Sequence, residues 1–173
     1  TRANLRMALV LERITGVPTP QGFQETEDIA WGKEQEPHSR MAYELDRELE
    51  IEELGFAYLP NVMAGCSLDG KIIDQGRTGF WESKSPKSKN HYACLRSKAP
   101  PPEYMPQLIH NFWITGFDFC DFQSYDPRMP PKLRTFITRI ERCDVLDRIE
   151  AHERGVLQFL LEVDDEEKQM RQL

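Results

Sequence analysis

Residues Gly65–Ser85 read GCSLDGKIIDQGRTGFWESKS. Apolar runs flank Asp74-Gln75-Gly76-Arg77, the pattern of two hairpin arms around a tight turn. A two-residue loop at Gln75–Gly76 pairs Asp74 with Arg77, and a four-residue loop pairs Ile73 with Thr78. Under either loop, Asp69 falls opposite Glu82. Opposed Cβ atoms in an antiparallel pair are about 4.5–5.5 Å apart, and like charges there weaken the sheet. Lys84, two residues on, shares a face with Glu82 and Phe80, while Trp81 and Ser83 point the other way. A plain surface ladder with Lys84 as counter-ion is compatible with these three residues. The apolar neighbours Ile72, Ile73, Phe80 and Trp81 favour a different reason for the facing acids, a divalent cation between them. Mg²⁺ suits such a place, because it takes few carboxylates, keeps several waters and accompanies phosphate substrates.

The chain has 173 residues, 39% hydrophobic and 29% charged. That suits a single soluble domain over 1–173 that buries about 70% of its unfolded surface. No apolar run approaches the roughly 18–20 residues of a membrane span, and no secretory signal is visible. Because the chain starts at Thr1, an N-terminal segment is expected to be missing. A net charge of −7 argues against coating nucleic acid over the whole surface, but not against a local basic channel. Residues 84–98, KSPKSKNHYACLRSK, hold five cations and no acid. The segment reads either as a solvated loop or as a strip facing phosphates, with Lys87, Lys89, Arg96 and Lys98 as contacts that position DNA without reading its sequence. The cysteines Cys66, Cys94, Cys120 and Cys143 lie far apart, which disfavours a zinc or iron–sulfur site and suits reduced thiols in the cytoplasm.

Along the chain, residues 1–16 predict a helix with Leu5, Ala8, Leu9 and Ile14 on its apolar side and Gly16 as its stop. VPTPQGFQET (17–26) is a Pro/Gly connector. Residues 27–49 predict a second helix with Ile29, Met41, Tyr43 and Leu45 inward and a kink near Lys33 forced by Pro37. Strands are expected at about 54–59, 66–73 and 78–84. A proline-entered helix ending at Gly116 follows, then two strands, the second alternating Leu133, Thr135, Ile137 and Arg139. An amphipathic helix with an acidic end closes the chain; that end serves either a partner or solubility. This order implies an α/β fold with a mixed sheet.

Asp followed by Glu-x-Lys on the next strand resembles the PD-(D/E)xK nuclease core. Beyond it, AWGKEQE (30–36), AGCSLDG (64–70), WESKSPKSKNHY (81–92), YMPQLIHNFWITG (104–116) and YDPRMP (125–130) resemble, in order and spacing, the lambda-exonuclease (YqaJ-type viral recombinase) family. The resemblance implies a restriction-endonuclease-like core, a central mixed β-sheet flanked by helices. It implies that Asp69, Glu82, the Ser83 carbonyl and Glu36 hold Mg²⁺, two ions that Mn²⁺ can replace. Lys84 would orient and deprotonate water, with its pKa expected to be lowered by nearby cations and desolvation. Tyr104 and Gln107, spaced i, i+3, would line the active site. The implied activity is 5′→3′ digestion of one strand of double-stranded DNA, leaving 3′ overhangs for phage recombination. The implied partners are two further copies in a homotrimeric ring and a single-strand annealing protein, in the host cytoplasm if phage-encoded. Leu68 stands where many relatives have proline, Pro37 directly follows Glu36, and the family's 5′-phosphate pocket is expected to lie in the missing N-terminal segment.

Some residues carry two readings. Arg128 either contacts phosphate or pairs with Asp126. His91 either reaches the phosphate, lining the active site, or is a satisfied loop histidine. Trp31 and Trp113 read as core rather than as base-stacking residues. Two alternatives of function remain, a junction-resolving endonuclease of the same fold and a non-catalytic DNA-binding scaffold.

Overall fold

The computed structural model describes residues 1–19, 22 and 25–173. The middle of the Pro/Gly connector lies outside the described residues. The chain divides into two compact units, 25–149 and the pair of segments 1–24 and 150–173.

The larger unit is built on a four-stranded sheet in the order β3 (Gly70–Asp74), β4 (Arg77–Lys84), β5 (Phe119–Tyr125), β6 (Thr135–Glu141). The outer pairs are antiparallel and the central pair β4–β5 is parallel, so the sheet is mixed, as the element order implies. A parallel neighbour needs a long crossover, and here it carries α3 (Ser88–Ser97) and α4 (Met105–Thr115). The turn between β3 and β4 has two residues. Asp74 pairs with Arg77, and Gln75 and Gly76 both take positive φ, 49° and 79°, the mirror-image turn whose twist matches a hairpin.

Side-chain alternation along β4 divides the unit into two layers. Phe80 packs edge-on to Phe112 of α4, with ring centroids 4.9 Å apart. On the other face Trp81 joins Tyr43, Ile51, Ile72 and Phe119 in a core cluster, with Tyr43 supplied by α2 (Glu27–Arg47). A minor sheet pairs β1 (Ala57–Tyr58) with β2 (Gly65–Cys66). Among the described residues no helix is long and apolar enough to cross a membrane.

Several expectations change. The strand expected at 66–73 breaks at Ser67–Asp69, because Asp69 Oδ2 accepts the Ser83 N–H at 2.8 Å where a backbone ladder bond would otherwise form. The basic segment is not a loop: residues 88–97 form α3. Helix α2 runs unbroken past Pro37 and buries Gln35, Ser39 and Tyr43, while Met41 and Leu45 are exposed. That inward stripe is polar because it meets polar partners. Ser39 carbonyl accepts from Gln123 Nε2 at 3.0 Å, and Tyr43 hydroxyl donates to Asp121 at 2.7 Å. Asp121, wholly buried, also takes Arg139 Nε and Nη2 at 2.7 and 2.8 Å. Leu133 precedes β6 in a short 3₁₀ turn rather than leading its alternation.

In the smaller unit, α1 (Arg2–Thr15) ends at Gly16 as expected, but it buries Val10 rather than Leu5 or Ile14. The acidic end of α5 (Leu146–Met170) is not merely solubilising. Its Glu162, Asp164, Glu166 and Glu167 pair with Arg2, Arg6 and Arg13 of α1.

Gly79 marks a close approach of β4 and β5, since an added Cβ would sit 2.4 Å from the Phe119 ring. Gly79→Ala should therefore lose about 1–3 kcal/mol by overpacking, read as a lower urea midpoint at unchanged slope.

Candidate active site

Gly70 pairs with Trp81, the register the sequence implied. Asp69 comes one residue before that pair and Glu82 one residue after it, and the charge of Asp69 acts on Glu82. Glu82 is completely buried and Asp69 is half-buried. Burial raises the Glu82 carboxyl to about 7, and the charge of Asp69 adds to the rise. Burial likewise raises Asp69, against the Ser83 N–H and the charge of Lys84. Glu36, on α2, is an exposed rim residue whose carboxyl is still raised by partial shielding and by Asp69. Asp69 thus opposes the ionisation of both Glu36 and Glu82.

Amides and one ammonium hold Glu82 in place. Gln107 Nε2 donates to Oε1 at 2.7 Å, Asn111 Nδ2 donates to Oε2 at 3.3 Å, and Lys84 Nζ donates to Oε1. Gln107 and Asn111 lie i, i+4 on α4, so one helix face presents both amides to the acid. Asn111 was not singled out from sequence, although a buried amide within the apolar run LIHNFWIT was its signal. Ser39 was missed as well; its hydroxyl meets that of Ser83 at 2.5 Å and ties α2 to the strand between the acid and the lysine.

Lys84 corrects an expectation. Desolvation alone would lower its pKa, but the contact with Glu82 and the charge of Asp69 outweigh it and hold the ammonium above its ordinary value. Its Nζ lies 5.6 Å from the centroid of the Tyr104 ring. In this arrangement Lys84 is a fixed positive charge, not a free base.

Glu36, Asp69, Ser83, Lys84 and Tyr104 open onto one cavity of about 600 Å³, whose far wall includes Trp31, Lys87 and Arg128. Trp31 is a lining residue rather than pure core, whereas Trp113 is buried. Arg128 joins both of its readings: Nε donates to Asp126 at 2.7 Å, and the guanidinium still lines the cavity. Lys87 Nζ stands 3.4 Å from Asp28 at the rim. Lys89 and Arg96 are exposed on α3, outside the cavity lining and seven residues apart on one helix face.

His91 does not line the site. It is fully buried, with Nδ1 2.8 Å from Ser124 Oγ and Nε2 2.7 Å from the Leu133 carbonyl. Both ring nitrogens are committed to holding α3 on the sheet.

Whether these residues suit the implied cation can be judged from the donor set. Carboxylates and a backbone carbonyl are hard oxygen ligands, with no thiolate among them, which is Mg²⁺ or Mn²⁺ chemistry. A cation placed beside these carboxylates would offset the rise that burial and the charge of Asp69 produce. Among the described residues no three acids, imidazoles or thiols already stand close enough to cage one. The fit is therefore of chemistry and location, with side-chain adjustment at Glu82 and Glu36.

The YqaJ-like viral recombinase domain profile matches residues 1–118. Among solved structures, the alkaline exonuclease LHK-Exo from Laribacter hongkongensis is 32% identical, with a TM-score of 0.83 over 99% of this chain and 84% of that one. LHK-Exo in complex with dAMP matches at 33% identity, the same TM-score and the same coverage. A phage-related exonuclease from Haemophilus somnus 129PT, 13% identical over 94% of this chain and 82% of that one, has a TM-score of 0.66 and shares the fold. No curated protein matches the chain.

Because the folded Glu82 pKa lies above its ordinary value, its contribution to stability is full below about pH 4.5 and is lost as pH rises toward about 7. Urea unfolding in chelator should show wild-type stability falling across that window by on the order of 1–3 kcal/mol. Glu82→Gln should flatten most of the fall, and a wild-type stability that rises there would contradict the assignment.

Proposed function

The chain belongs to the YqaJ-like viral recombinase family, and we propose that it is a Mg²⁺-dependent exonuclease. In this reading it digests the 5′-ended strand of duplex DNA and leaves 3′ overhangs for recombination by strand annealing. The observation that carries the reading is the cluster of Asp69, Glu82 and Lys84 at the end of one hairpin, with Asp69 and Lys84 opening onto a nucleotide-sized cavity and Glu82 buried behind them in contact with Lys84. The exonuclease named in the similar structures supports it.

Glu36, Asp69, Glu82 and the Ser83 carbonyl would hold the metal, and the chemistry it supplies when bound is neutralisation of charge on the reacting phosphate and activation of water. The chain's own groups do the rest. Gln107 and Asn111 fix the Glu82 carboxylate, so the ligand need not be ordered at the moment of reaction. Lys84 sets a positive charge beside both acids, where it can orient a water or hold a non-bridging phosphate oxygen. Tyr104 walls this end of the cavity and restrains the lysine. A homotrimeric ring and an annealing partner belong to the same proposal and rest on family membership.

Linear 5′-phosphorylated duplex in Mg²⁺ should be degraded to 3′-tailed products, while a covalently closed circle is spared. Asp69→Ala and Lys84→Ala should each reduce degradation by at least about 10²-fold. Cleavage of the closed circle would instead favour the endonuclease, and degradation unchanged in both variants would leave only the scaffold.

A further inference from the structure

Arg128 stands on the cavity wall with its guanidinium held from three sides. Its Nε donates to Asp126 at 2.7 Å, its Nη2 donates to the Pro86 carbonyl at 3.0 Å, and its plane lies over the Trp31 ring with 5.0 Å to the centroid. The three anchors come from three places in the fold: the segment after β5, the loop after β4, and α2. Asp126 is wholly buried, whereas the Arg128 side chain is 48% exposed. The ion pair therefore turns its anionic half inward and its cationic half toward the cavity. No described residue accepts a hydrogen bond from Nη1, and Nη2 uses one of its two hydrogens, so three N–H donors remain. A guanidinium needed only to neutralise Asp126 would not require an aromatic platform or a carbonyl clamp. Holding a long side chain in one rotamer beforehand is what lowers the entropic cost of gripping a ligand.

The cavity carries both acids and cations. Glu36, Asp69 and Lys84 line it, and so do Lys87 and Arg128 from the loop after β4 and the segment after β5. Asp28, also in the lining, stands 3.4 Å from Lys87, so of these last two cations Arg128 is the one whose acid partner is buried. A volume of about 600 Å³ admits one nucleotide with a flanking phosphate. Resting on the nuclease reading above, we propose that Arg128 is a positioning residue that grips one backbone phosphate adjacent to the scissile one, with Trp31 as its platform. One strand would then be fixed at two points, at Arg128 and at the acids, and the scissile phosphate would be set by the spacing between them. The contact is to the backbone, so it carries no sequence preference.

The test is a methylphosphonate scan. Each phosphate near the 5′ end of a short 5′-phosphorylated duplex is replaced in turn by its neutral methylphosphonate. Binding is measured without divalent cations, so that it is read apart from cleavage. Wild-type protein should lose about 10-fold in affinity at one position. Arg128→Lys, with the folded far-ultraviolet signal and melting temperature checked, should bind the unmodified duplex about 10-fold more weakly. It should lose less than 2-fold further at that same position, and the charge-removing Arg128→Gln should also lower the salt slope by about 1. Arg128→Gln, read identically, serves if the lysine variant does not fold. Equal penalties in wild type and variants at every position, or a wild type indifferent to every substitution, would overturn the proposal. Cleavage of the unmodified linear duplex in Mg²⁺ by the wild type is scored separately, so a failed nuclease reading is distinguishable from a failed phosphate contact.

Discussion

A carboxylate shut away from water, Glu82, with the half-buried Asp69 close enough to act on it, sets the terms for its surroundings. Placing Glu82 in the interior is unfavourable for its charged form, and Asp69 makes it worse. A fold optimised for stability alone would put an apolar pair there. The structure instead surrounds the acid with three side-chain donors, two amides of α4 and the ammonium of Lys84. Burial still holds its pKa above the ordinary value, a perturbation more often found where a group binds than where it only supports the fold.

The sheet supplies the rigidity this arrangement requires. β4 is paired with β3 as far as Trp81 and with β5 along Gly79–Lys84, so the acid and the lysine project from backbone tied to β5 just past the point where the β3 ladder ends. Helix α2 braces one face through Ser39 and Tyr43, and α4 braces the other through Phe112 and its amides. The buried Tyr43–Asp121–Arg139 network, satisfied on every side, fixes α2 against β5 and β6. Glu36 rides on the same helix, four residues before Arg40 and three before Ser39, so the position of the rim acid follows from the core network.

Legibility from sequence followed the strength of local rules. The approach of Asp69 to Glu82 was readable because the side-chain period of a strand is two and a tight turn fixes the register. Gly16 and Gly116 were readable as helix stops, and both take the left-handed conformation. The inward face of α2 was not, because periodicity searches look for apolar stripes and this one is Gln35, Ser39 and Tyr43. The helical state of 88–97 was hidden by its charge, and the role of His91 depended on Ser124 and Leu133, far along the chain. The ammonium state of Lys84 was misjudged because sequence shows the cations nearby but not which acid the side chain touches. Polar partners that come together only in three dimensions leave little trace in one.

The central claim is that Asp69 and Glu82 share an ion. Crystals grown with Mn²⁺ and measured at the manganese absorption edge test it most directly. The account predicts an anomalous peak within coordination distance of both carboxylates, abolished in Asp69→Ala. Saturating Mn²⁺ with no peak there, or a peak bound by only one of the two acids and unaffected by that substitution, would contradict it.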